Sequence, residues 1–411
     1  MPRGLDLPAE EKAFLVEPLA GFPGAIDPAR HEEILSAHRN LLAAGDLAGA
    51  GQLAAELLAD DPSSLPAAVL AAQVDFARGD VRAVVKRLVP VGDAAPGYTA
   101  SQLLLGRAAE RSGDVALAYA AYRAVAAKSP LAFAKTGALH AQALETVRKR
   151  LQVELEQGET EAAQGQLKLL QAWGPSELST YEAAAAVARA TGDRAAELAA
   201  VRSLSERRPD DRALLEHRAD LEMDVGDPSR GLDIVQKLAD RNRKDPALAT
   251  KLEGTKFRWR LSFLPPDVRE IAGRPSLSRA DLAVLLYWLI PSVRYAKPTA
   301  GLIAVDVLDQ PRQEEIVRVV NLGLMDVDRD LHRFSPGSPA RRGTALGALT
   351  RLLSRFGGGL ACLQGESGGV CAVAARCGLF AATDECRPRD PVAGPEAVEM
   401  IRLAEKLLGA S

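Results

Sequence analysis

The chain has 411 residues, 47% of them apolar and 26% charged, ordinary values for globular protein and enough length for two or three separate cores. Only 4% are aromatic and alanine is abundant, which favours closely packed helices over β-sandwiches or aromatic nucleic-acid platforms. The formal net charge of −3 is evenly spread, with 33 basic and 37 acidic residues up to residue 260 and 18 and 17 after it, so a general nucleic-acid or anionic-membrane surface is excluded.

No apolar run approaches the roughly 18 residues that a spanning helix needs, so no transmembrane segment is expected. Residues 1–27, opening "MPRGLDLPAEEKAFLVEPLAG", stand apart as an N-terminal extension. They hold neither the apolar stretch of an export signal nor a lipobox cysteine. The protein is then either cytoplasmic or exported with a leader missing from this sequence.

From residue 28 the chain repeats. A Gly-acidic pair recurs at Gly45-Asp46, Gly79-Asp80, Gly113-Asp114, Gly158-Glu159, Gly192-Asp193 and Gly226-Asp227, at spacings of 34, 34, 45, 34 and 34. A proline follows the first five glycines by 17 residues (Pro62, Pro96, Pro130, Pro175 and Pro209), and Pro246 follows the sixth three residues late. This register describes a helix-turn-helix unit. Glycine ends the first helix in the left-handed conformation, the acid caps the second, and proline stops it. Small residues at Ala50, Ala118, Ala163 and Gly231 fall where paired helices touch. The 45-residue spacing predicts one long helix from about Ala134 to Gln157. "DPALATKLEGTKFRWRLSFLP" supplies a closing helix whose Phe257 and Trp259 are expected to cover the last repeat. "HEEIL" at His31 has Leu35 where a zincin needs its second histidine, so no metal site is expected.

Residues 28–261 thus resemble a tetratricopeptide repeat (TPR) solenoid of six repeats plus a closing helix. The resemblance implies an all-α scaffold without chemistry of its own, whose concave groove takes a peptide or protein partner.

After residue 261 three segments share a plan of helix, loop and a short polar motif opening another helix. In the middle one, Glu314 to Leu322 is amphipathic and Gly323 ends it, and the segment from Pro339 starts the second helix. Before it, Ser278 caps a helix and Asp281 reaches back to it. After it, "AARCGLF" parallels "VVNLGLM". The first segment shows no clear opening helix. Asp306-Val307 and the run Leu277-Ser278-Arg279-Ala280-Asp281-Leu282 resemble the S-layer homology (SLH) family, whose units open with an aspartate-valine pair and carry a Thr-Arg-Ala-Glu motif. Residues 262–411 are expected to form a mostly helical bundle of three such units.

The second motif, Pro339-Ala340-Arg341-Arg342-Gly343, keeps the arginine and loses the acid; the third, Val392-Ala393-Gly394-Pro395-Glu396, does the reverse. In the family that arginine helps to bind anionic cell-wall glycopolymer, as a guanidinium fork suits carboxylate or ketal groups. The resemblance therefore assigns polymer or peptidoglycan binding to Arg279 and Arg341, with Asp281 beside them in the best-matched motif.

"CLQGESGGVC" contains a G-x-S-x-G pattern around Ser367. A nucleophile there needs a histidine, an orienting acid and a strand-turn-helix elbow. The helix ending in "RFGGGL" offers no strand, and only His332 among the five histidines falls in this part of the chain. The stretch reads as a linker, and neither enzyme activity nor a cofactor is expected. The four cysteines, Cys362, Cys371, Cys377 and Cys386, lie within 25 residues and form no C-x-x-C pair. Cys371 and Cys377 sit about 240° apart around one predicted helix and do not face each other. This leaves Cys362–Cys371 with Cys377–Cys386, or Cys362–Cys377 with Cys371–Cys386. Either pattern implies an oxidising compartment.

These features together give the expected role: a non-catalytic adaptor of the bacterial cell envelope, periplasmic or at the surface. Its TPR groove would bind a protein and its SLH-like domain a wall polymer. One alternative is a subunit of a multiprotein assembly in which the SLH-like domain is a docking module. Another is a hydrolase using Ser367.

Overall fold

A computed structural model of the chain describes residues 36–37, 40–41, 43–297, 304–328, 330–364, 369–380 and 386–409. Among them are 19 α-helices, three isolated β-bridges and no strand, so the all-α expectation holds. His31, Ser367 and the N-terminal extension lie outside the described residues. The chain divides into two compact units, Met1–Leu214 and Leu215–Ser411, so the second includes the last helical hairpin of the repeat.

The first unit is an array of hairpins. Leu47–Asp60 (α1) is the second helix of the first pair. The next four pairs are Leu65–Arg78 (α2) with Val81–Ala94 (α3), Thr99–Ser112 (α4) with Val115–Val125 (α5), Pro130–Glu156 (α6) with Thr160–Trp173 (α7), and Leu178–Thr191 (α8) with Arg194–Arg207 (α9). Gly45, Gly79, Gly113, Gly158 and Gly192 all turn at φ between 74° and 86°, the left-handed region that only glycine enters cheaply. Past them, Asp46, Asp80, Asp114 and Asp193 accept the backbone N–H three residues on, at 2.8–3.2 Å. Glu159 makes no such cap. The small residues pack as their spacing requires: Ala50, Ala118 and Ala163 are 0% exposed. The 45-residue spacing is absorbed by α6, whose 27 residues compare with 14 in the helices α7 and α8.

The second unit begins within Arg212–Val225 (α10) and holds Pro228–Arg241 (α11), Pro246–Ser262 (α12), Pro266–Gly273 (α13), Arg279–Leu289 (α14) and Pro291–Tyr295 (α15). After these come Gln313–Asn321 (α16), Arg342–Phe356 (α17), Val370–Arg376 (α18) and Gly394–Gly409 (α19). Three details differ from the sequence reading. Gly226 is not left-handed, because the Asp227 amide donates to the buried Glu222 carboxylate instead of a backbone carbonyl five residues back. Phe257 does not cover the last repeat. On α12, Leu252 packs with Ala219 and Val235 of α10 and α11, whereas Phe257 joins the C-terminal core. Trp259 does reach back, donating from Nε1 to the Ser229 hydroxyl at 3.2 Å. The first C-terminal segment also has its opening helix, α13, started by Pro266 and anchored by buried Val268 and Ile271.

One continuous core runs from Phe257 to Ala404. Ile316, Val319, Val320 and Leu324 enter it, and the paralleled helix ends match bond for bond. Gly323 and Gly378 turn at φ 72° and 64°, and Leu324 and Leu379 donate to Val319 and Ala374 at 3.1 and 3.0 Å.

A candidate anion-binding cavity in the second unit

The three polar motifs meet in a closed ring of backbone hydrogen bonds. Leu277 N–H donates to Val392 C=O (2.9 Å), Val392 to Ala340 (3.0 Å) and Ala340 to Leu277 (2.8 Å). All three side chains are buried, so a polar cycle is sealed by apolar groups and every amide in it is satisfied. Each motif then extends the same way: Arg279 N donates to Ser338 O, Arg342 N to Asp390 O and Gly394 N to Arg274 O, at 2.7–2.9 Å. In this register Arg342, one residue past Arg341, stands opposite Arg279 and Gly394.

Asp281 works inside the fold. It forms the expected capping box with Ser278, its Oδ2 accepting the Ser278 amide at 2.9 Å while Ser278 Oγ accepts the Asp281 amide at 3.1 Å. Its other oxygen accepts from Arg274 at 2.9 Å. Asp306 also has a structural task, accepting the amides of Phe334 and Ser335 at 2.8 and 2.7 Å. It holds a turn in which Ser335 has φ 59°.

Arg279 lies over the Phe334 ring, 4.7 Å from its centroid. It donates from Nε to Phe334 O at 2.9 Å and from Nη2 to Asp326 O at 2.6 Å. Burial pushes its guanidinium pKa down from the usual value, against the pull of Asp326 and Asp306. The same cavity, of about 340 Å³, is lined by Arg279, Arg341, Arg351 and Arg389, with Asp326 as the carboxylate among them. Arg351 grips Asp326 with both nitrogens, at 3.0 and 2.7 Å, and also donates to Leu324 O at 3.0 Å. Arg341 and Arg389 are exposed and make no side-chain hydrogen bond or ion pair among the described residues. Four guanidinium groups stand against one carboxylate there, and planar forks of this kind suit carboxylate, phosphate or ketal groups.

The structure thus brings Arg279 and Arg341 to one cavity and leaves Asp281 out of its lining. Sequence reasoning missed Arg351 and Arg389. One signal was available for the second: Pro336-Gly337-Ser338-Pro339 and Pro388-Arg389-Asp390-Pro391 share a Pro-x-x-Pro spacing, and Pro336 O and Pro388 O accept from Ala280 N and Gly343 N at 3.0 and 2.9 Å. At the other polar motif contact, Arg342 pairs with Glu396 in a separate cavity of about 400 Å³ lined by Leu379, Phe380 and Met400.

The cysteines pair as Cys362–Cys377 and Cys371–Cys386, with Cα separations of 5.0 and 5.8 Å, one of the two patterns open from the sequence. No described helix is long and apolar enough to cross a membrane.

No family model matches the chain, and no curated protein matches it. Among solved structures it is similar to the TPR domain of P58(IPK), at 15% identity and TM-score 0.30 over 92% of this chain and 98% of that one. It is also similar to a tetratricopeptide repeat protein from Parabacteroides merdae, at 14% identity and TM-score 0.22 over 56% and 90%. The assembly chaperone of RpL4, Acl4, aligns at 13% identity and TM-score 0.23 over 57% and 96%.

Proposed function

We propose that the protein is a non-catalytic adaptor of the bacterial cell envelope. In this reading the second unit holds an anionic wall glycopolymer or peptidoglycan, and the helical array holds a protein partner. The observation that carries it is the convergence of Arg279, Arg341, Arg351 and Arg389 on one cavity. Two disulfides support an oxidising compartment, because thiols elsewhere are kept reduced. The hairpin array supports the partner role, since stacked helical pairs leave a continuous concave surface.

The test is sedimentation of the full chain with purified walls, before and after their anionic glycopolymer is stripped. Arg341→Ala with Arg389→Ala is the informative variant, because neither side chain is committed to the fold. Losing guanidinium contacts to an anion weakens binding by roughly ten- to a hundredfold, and raised salt weakens an exposed site further. A wild-type chain that stays in the supernatant overturns the anchor reading.

A second reading, the docking module of a larger assembly, is favoured by a separate surface. Phe263 and Tyr295 are 65% and 77% exposed beside Trp259 and Trp288, around a cavity of about 290 Å³. Arg294 lies 4.4 Å from the Trp288 ring there. Exposed aromatic clusters of this kind mark protein contacts. If Phe263→Ser and Tyr295→Ser leave the partners captured from envelope extract unchanged, this reading fails.

A further inference from the structure

We infer that anion binding at the arginine cavity is switched by the oxidation state of the Cys371–Cys386 bridge, which holds Arg389 in the cavity wall. The inference rests on the anion-binding reading above.

Cys371 lies on α18, a helix seated in the core through fully buried Ala374. Its partner Cys386 begins an irregular stretch, Cys386-Arg387-Pro388-Arg389-Asp390, that leads into the ring residue Val392. Arg389 is three residues from the bridge, so its Cα stays within about 10 Å of a point fixed to α18. Its side chain has no partner among the described residues. Its position is therefore set by its backbone alone. Two bonds to the start of α17 complete the seat: Gly343 N to Pro388 O and Arg342 N to Asp390 O, both 2.9 Å. The stretch lies so close to α17 that a Cβ on Gly343 would come 2.9 Å from Pro388 O and 3.0 Å from Pro388 Cβ.

The other bridge has a different reach. Cys362–Cys377 ties the 3-10 turn Ala361–Leu363 to the end of α18, and neither cysteine nor that turn lines the arginine cavity. The two bridges thus predict different consequences, and each serves as the control for the other.

The chemistry is thiol–disulfide exchange. A dithiol reductant attacks one sulfur, the Cys371–Cys386 S–S bond breaks, and the mixed disulfide is resolved by the reductant's second thiol. Two electrons and two protons pass to the cysteines, leaving two thiols here and a disulfide on the reductant. Arg389 is then held only through the backbone hydrogen bonds of its neighbours Pro388 and Asp390, and the cavity loses one fixed cation.

The experiment measures binding of a fluorescent oligogalacturonate, a carboxylated sugar chain, to the full-length protein by anisotropy. Cys371→Ser with Cys386→Ser is expected to weaken binding about tenfold, the value of one charge-assisted contact, as is dithiol treatment of the wild type. Cys362→Ser with Cys377→Ser is expected to stay within about twofold of the oxidised parent, because it releases no cavity residue. Gly343→Ala, which displaces Pro388 while leaving both bridges intact, is expected to reproduce the loss. Circular dichroism confirms that each variant keeps its helices. No binding by the oxidised wild type overturns the anion-binding reading and the switch with it. Binding that survives loss of Cys371–Cys386, or equal losses from both bridge pairs, overturns the switch alone.

Discussion

Helices of the first unit meet in sequence order, each hairpin turned by a left-handed glycine and packed against the next. The second unit closes differently: Leu277, Ala340 and Val392, far apart in sequence, donate to one another in a three-membered cycle. An array of nearest neighbours loses stability piece by piece, because each repeat contacts only those beside it. A ring has no free end, so a fault in one motif is felt by the other two. The difference also separates duties. The array offers repeated surface, whereas the ring brings side chains from distant segments to one place, which is what the arginine cavity requires.

The largest effect is expected from removing the two disulfides of the second unit, which lie between the second and third motifs. Each bridge closes a loop of 15 residues and is expected to stabilise by about 3 kcal/mol on loop-entropy arguments, so a chain with all four cysteines changed to serine should unfold its second unit well before its first. Hydrogen exchange resolved by segment checks this, and simultaneous loss of both units would contradict it. Free-thiol titration of the unreduced native protein should find none.

Gly394→Ala comes next. The added methyl would lie 2.5 Å from Ala272 O and 2.6 Å from Ile271 O, both rigid backbone, at an expected cost of about 2–3 kcal/mol in urea unfolding. Arg279→Ala should cost about 2 kcal/mol, because it strips the carbonyls of Phe334 and Asp326 of a charged donor. The smallest effect belongs to the array. At Gly113 nothing stands within 4 Å of an added Cβ, but φ is 81°, so Gly113→Val should cost about 1–2 kcal/mol through backbone strain alone. Were Gly113→Val the more damaging of the two glycine changes, the contrast between open array and closed ring would be lost.

What could be read from the chain follows the same division. Glycine turns, aspartate caps and buried alanines announce themselves because each acts within a few residues, and the repeat multiplies the signal. Even the long α6 was legible as an extended spacing. Gly226 was misread because the group replacing its turn, Glu222, is an ordinary helical glutamate until its burial is known. In the ring, the capping box at Ser278 was legible because it is local. The choice between Arg341 and Arg342 as the counterpart of Arg279 was not, since it depends on pairings with Ser338 and Asp390 across the ring. The division of α12 between two cores was hidden for the same reason: Leu252 and Phe257 are equally apolar, and only tertiary contact assigns them.

Polymer binding at the arginine cavity can be read by hydrogen exchange of the oxidised protein with and without purified wall glycopolymer. Exchange should slow at the amides framing the cavity, from Arg341 to Thr344 and from Arg387 to Asp390, with the helices α2 to α9 unchanged. Slowing confined to the array, or none anywhere at saturating polymer, would contradict it.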